Sequence, residues 1–74
     1  MDKHIRFDRH ARRRMKWRRI SEEEVLKVLQ DPDKVEKSSR GRTNVYKTIH
    51  ERHLKVTFKE LPEEILIITV IDKT

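Results

Sequence analysis

The chain has 74 residues, no cysteine, one glycine, 43% charged residues and a net charge of +6. These features exclude a disulfide scaffold and thiolate chemistry, and the longest apolar run, ILIITVI, is far too short for a bilayer-spanning helix. A single domain over residues 1–74 is expected, near the lower size limit for folding without staples.

The opening MDKHIRFDRH has no apolar leader. With the lack of cysteine, this leads to an expected cytoplasmic location. The charge-rich, glycine-poor usage is of the kind found in thermophilic sources, a trait that small basic proteins share. Charge is laid down in blocks. Residues 1–20 hold nine Lys/Arg against two Asp, and residues 38–59 hold six against one Glu. Residues 21–37 and 60–74 are each net acidic, at −3. If folding joins the two basic blocks, they offer a polyanion site; otherwise they solvate the surface and pair with the acidic blocks.

In chain order, Asp8 is placed to cap a first helix ending near Lys16 or Trp17. Ala11 and Met15 are its narrow apolar seam, with Arg14 and Arg18 at one margin and His10 further round. Arg12, Arg13 and Lys16 point to solvent. Trp17, beside the basic block, is expected to anchor the core or the interhelical joint in preference to acting as a base-stacking platform. ISEEEV then reads as a capping box between Ser21 and Glu24, starting a second helix. Its acidic first turn is explained by the helix dipole, without a catalytic role. Val25, Leu26, Val28 and Leu29 form its buried stripe, and DPD ends it near Gln30.

The remainder reads as strand. KVEK is a short edge strand, SSRGRTN a polar loop, VYKTIH and HLKVTFKE two strands meeting near Glu51–Arg52, and LPEE a turn. ILIITVI is apolar at both parities, as in a strand covered on both faces. Leu66, Ile68 and Val70 alternate with Ile65, Ile67 and Ile71, yet two short helices can cover only one face. One set should therefore stay partly open, marking a partner or dimer interface unless Lys55, Lys59 and Tyr46 drape over it.

The ordered set F-x-x-H-A, R-M, I-S-x-x-E-V, D-P, G-R, Y-K, L-x-V and I-x-T-V spans Phe7 to Ile71. It resembles the small bacterial and archaeal family known as domain of unknown function 4258 (DUF4258). The chain departs from that pattern at Arg19, where many members have glycine before I-S, which should alter the interhelical turn. The resemblance implies an α+β fold, with two N-terminal helices packed on one face of a three- to four-stranded antiparallel sheet. It further implies distant similarity to the RelE/ParE-like toxins, BrnT-type ribonucleases among them. Those toxins are metal-independent proteins directed at RNA or other nucleic acid and are neutralised by a partner covering their site. RNA and a cognate antitoxin-like protein are thus the implied partners.

RNA cleavage without metal requires a base, an acid and cations for the phosphorane charge. His10, Arg14, Tyr46 and Lys55 are the candidate catalytic residues. Imidazole exchanges protons near neutrality, and His10 and Arg14 are one helical turn apart. The alternative for His10 is a rim histidine, with Arg14 paired to a carboxylate. Arg12, Arg13, Arg40, Arg42 and Lys47 are candidate nucleic-acid contacts, and Arg42 also lies nearest the chemistry. Arg40 and Arg42 flank Gly41 in a loop whose guanidinium groups suit phosphate, or simply solvate it. Lys47 shares the parity of Val45 and Ile49 and is expected either to snorkel at an edge or to belong to the other side of the sheet. Tyr46 either stacks on a base or packs.

The spacing of His4, His10, His50 and His53 matches no zinc signature, so no metal site is expected; neither cofactor nor membrane is expected either. The leading expectation is a small RNA-interacting protein of toxin-like fold, either a metal-independent endoribonuclease or an RNA binder without cleavage. Its rival is a non-catalytic interaction module or homodimer. The first requires the arginine-rich helix and the SSRGR loop to share one flank.

Overall fold

Both expected helices form, and a strand absent from the sequence reading joins the four that were expected. A computed structural model describes residues 3–74; Met1 and Asp2 lie outside it. In chain order the elements are β1 (His4–Phe7), α1 (Arg9–Arg18), α2 (Glu22–Gln30), β2 (Lys34–Lys37), a 3-10 turn (Ser39–Gly41), β3 (Arg42–Ile49), β4 (Arg52–Glu60) and β5 (Glu64–Asp72). They build an α+β fold around one five-stranded sheet of order β1-β5-β4-β3-β2.

The sheet is mixed, which corrects the expected three- to four-stranded antiparallel one. β1 pairs parallel with β5, from His4 opposite Glu64 to Phe7 opposite Ile67. A parallel neighbour needs a crossover, and nearly the whole intervening chain supplies it. HIRF holds only two apolar residues and no turn signal. Its strand character comes from β5, whose apolar edge it covers. β3 also starts at Arg42, inside the stretch read as loop.

Asp8 caps α1 with its side chain on the Arg9 N–H, and Ser21 and Glu24 form the full capping box of α2. α1 packs on β5, and α2 packs on β3 and β4. Between helices and sheet, Val25, Val28, Leu54, Val56, Ile67 and Val70 are fully buried. Each contributes roughly 1.5–3 kcal/mol by leaving water.

A bulge decides which apolar set of β5 is covered. Val56 pairs with Val70 and Thr57 with Thr69, but Phe58 pairs with Ile67, so Ile68 is extra. Side-chain parity changes there. Ile65, Ile67 and Val70 therefore join the core, while Leu66, Ile68 and Ile71 stay half-buried outside it. Simple alternation had placed Val70 with Leu66.

The α1–α2 joint is a Schellman turn. Ile20 N–H donates to Met15 O (2.8 Å), Arg19 N–H donates to Lys16 O (3.3 Å), and Met15 and Ile20 are both buried. Its pivot, Arg19, has φ 57° and ψ 47°. That left-handed conformation costs an L-residue about 1 kcal/mol relative to glycine.

Arg52 locks this joint to the sheet. Its guanidinium donates to Arg18 O (2.7 Å) and Arg19 O (3.2 Å), and it pairs with Glu24 (3.4 Å) and Asp72 (3.3 Å). The helix C-terminal carbonyls thus receive a cation where the dipole favours one.

Several carboxylates depend on such partners. The Asp72 carboxyl is held below its ordinary pKa, first by the Thr74 N–H and hydroxyl and then by Arg52. The Arg6 hydrogen bond lowers Glu64, and the Lys3 hydrogen bond lowers Glu60. A folded pKa below the unfolded one gives stability that is present above the unfolded value and lost as pH falls through the folded value. Urea midpoints measured from about pH 7 to about pH 3 should therefore hold down to roughly pH 5 and then decline. A midpoint that rises on acidification would contradict these pairings.

Candidate nucleic-acid interface

With both helices on one face, the other face of the sheet is left open. Register assigns its side chains. Val45, Val56 and Val70 pair in a row toward the helices, so the adjacent row of Tyr46, Lys55 and Ile71 points the opposite way. Lys34 pairs with Tyr46 from the other side. Arg42 and Lys59 oppose each other farther along the same face.

Tyr46 is the centre of this surface. The ammonium groups of Lys34, Lys73 and Lys55 lie 5.4, 5.5 and 5.9 Å from its ring centroid. The ring's negative face attracts each cation, but the cations repel one another. A bound phosphate would relieve that repulsion. Tyr46 O–H donates to Glu36 Oε1 at 2.9 Å. This bond, reinforced by Lys34, lowers the Glu36 pKa and raises that of Tyr46. Glu36 therefore remains an anion, and the tyrosine keeps its proton.

A groove of about 400 Å³ runs past Tyr46, Lys34, Lys73, Thr48 and His53. His53 Nδ1 and Thr48 Oγ1 are 3.0 Å apart. An imidazole therefore stands on the same face as the lysine cluster. Thr57 Oγ1 donates to Asn44 Oδ1 at 2.6 Å, tying together the strands beside it.

The predicted residues separate into distinct places. Tyr46, Lys55 and Arg42 do share the open face. His10, Arg12, Arg13 and Arg14 are exposed on α1, on the helix side of the sheet. Arg40 occupies the 3-10 turn with φ 64°. Lys47 points to the helix side, where its ammonium donates to Asp31 O (2.8 Å) and pairs with Asp31 and Asp33. That engagement caps the C-terminal end of α2 and occupies the charge.

The common flank expected for α1 and the SSRGR loop does not form. α1 lies over β5, and its C-terminus is held by Arg52, at the end of the sheet where β3 turns into β4. The 3-10 turn joins β2 and β3 at the opposite end, beside the Arg42–Lys59 pair. The four histidines are likewise dispersed over β1, α1, the β3–β4 turn and β4. Trp17, expected in the core or the joint, is 80% exposed. Ala11 and Met15 already fill the seam of α1, leaving the indole no buried position.

Sequence reasoning missed Lys34, Lys73, Glu36 and His53 as members of one group. Lys34 and Glu36 lie on the strand read only as an edge, and Lys73 follows the last strand. Their approach to Tyr46 depends on strand register, which alternation within single strands does not specify.

The molecule is thus a small α+β domain with a helix-covered core and an open, cationic sheet face. Residues 7–72 match the family described as a domain of unknown function, DUF4258, and the chain belongs to it. No curated protein and no solved structure matches the chain.

Proposed function

We propose that the protein binds single-stranded RNA across the open sheet face and cleaves it without metal, as a member of the RelE/ParE-like class of toxins would. One observation carries the reading: three ammonium groups gathered around a single tyrosine ring, on a face that also holds an imidazole and the Glu36 carboxylate bonded to the tyrosine hydroxyl. A base stacks on Tyr46 while Lys34, Lys55 and Lys73 receive the flanking phosphates. His53 takes the 2′-hydroxyl proton, the 2′ oxygen bonds to phosphorus, and the bond to the 5′ oxygen breaks. Tyr46 returns a proton to that leaving oxygen, and Lys55 offsets the phosphorane charge. In this reading His53 has the role that the sequence suggested for His10.

The test is cleavage of single-stranded RNA in excess EDTA. His53→Ala and Tyr46→Phe should each reduce cleavage by about 100-fold or more. Tyr46→Phe should retain binding, because the ring remains. Activity unaffected by either substitution would remove the catalytic part.

The half-buried Leu66, Ile68 and Ile71 favour a second reading, a non-catalytic interaction module or homodimer that covers them. A salt-insensitive dimer in light scattering, together with no RNA binding, would establish it in place of the first. A cognate antitoxin-like protein would cover the same apolar residues.

A further inference from the structure

The C-terminal half of α1 carries a second surface, on the opposite side of the molecule from the Tyr46 cluster. Trp17 is 80% exposed, the most exposed large apolar side chain of the described residues. Arg13, Lys16 and Arg19 line a shallow depression of about 660 Å³ with it. None of these three cations pairs with a carboxylate among the described residues. Among the described residues, the ion pair made by α1 is Arg12 with Glu22, at 2.8 Å.

Arg19 adds an independent observation. It is the pivot of the Schellman turn, with φ 57°, where glycine is the residue the backbone favours. A long cation held there against the backbone's preference is strain at an exposed site, of the kind that accompanies function. Its backbone groups explain the turn, but nothing in the turn requires a guanidinium.

We infer that Trp17, Arg13, Lys16 and Arg19 form a stacking platform for single-stranded RNA. A base lies on the indole, and the three cations take the phosphates on either side of it. An exposed indole is an apolar π-face that any base can cover. Cations left out of ion pairs among the described residues are free to match the regular negative charge of the strand. The platform shares only its ligand class with the sheet-face reading and stands or falls separately.

Trp17 is the only tryptophan of the chain, so its emission reports this surface alone. The probe is an oligouridine of about 12 nucleotides, titrated against the full chain. Total binding is followed in parallel by anisotropy of the labelled strand. Saturable quenching is expected for the parent and for Lys34→Ala/Lys55→Ala/Lys73→Ala. Trp17→Ala should weaken total binding by at least about fivefold.

Arg19→Gly separates function from folding. Relief of the left-handed strain should raise the Tm by about 4–8 °C, while affinity falls severalfold. A merely structural arginine would not give opposite signs. Anisotropy showing binding with unchanged Trp17 emission would overturn the platform and leave the sheet face standing. Equal quenching by polyglutamate, or an Arg19→Gly variant that binds as tightly as the parent, would overturn it too. Quenching that persists when the triple lysine variant loses no affinity would instead count against the sheet face.

Discussion

Arg52→Ala is expected to lower the Tm by roughly 10–20 °C, the largest stability effect of any surface-accessible side chain. Arg52 joins three elements through one guanidinium: the last carbonyls of α1, Glu24 at the start of α2, and Asp72 at the end of β5. Alanine leaves two partly buried carboxylates without their cation and two helix carbonyls without a donor. Loss of such charge-assisted bonds costs about 2–3 kcal/mol, and a domain of this size shifts by about 4–8 °C per kcal/mol. Arg52→Lys should recover only part of the loss. A single ammonium keeps the charge but cannot reach all four acceptors. Thermal melts of the three proteins decide the point. A change of under about 2 °C for alanine would show that the helices hold to the sheet without this link.

Lys34→Ala/Lys55→Ala/Lys73→Ala should give the largest change in RNA binding. Each phosphate contact to a single strand contributes about 0.7 to the slope of log affinity against log salt. Removing three contacts should flatten that slope by about 2. Between about 50 and about 200 mM salt, the parent should lose more than tenfold more affinity than the variant does. The fold should not suffer, because the three ammonium groups repel one another around Tyr46. An unchanged slope with intact binding would place the phosphates elsewhere on the molecule.

The local signals in this chain were legible because each acts within a few residues. Ser21 and Glu24 specify the start of α2 by bonding each other's backbone, whatever the rest of the chain does. Ala11 and Met15 marked the buried seam of α1 through helical spacing, and alternation marked β4. Tyr46 and Lys55 share one face because register pairs them directly across β3 and β4.

The misplaced strand features depended on partners distant in sequence. β1 is a strand because β5 offers it an edge, and four residues of its own could not announce that. The bulge at Ile68 redistributes the apolar set of β5, since an extra residue inverts parity where alternation has no means to show it. Trp17 looked like an anchor by type, but the seam was already full.

By itself the sequence determined the helices and their caps, the four later strands, the family and the strongly basic balance. These rest on neighbouring backbone bonds, short-range periodicity and composition. Tertiary structure alone decided where the charge gathers. The arginine-rich helix and the SSRGR loop lie apart, while lysines from β2, from β4 and from beyond β5 close on one tyrosine. Sheet register sets those distances, and register is a property of pairs of strands.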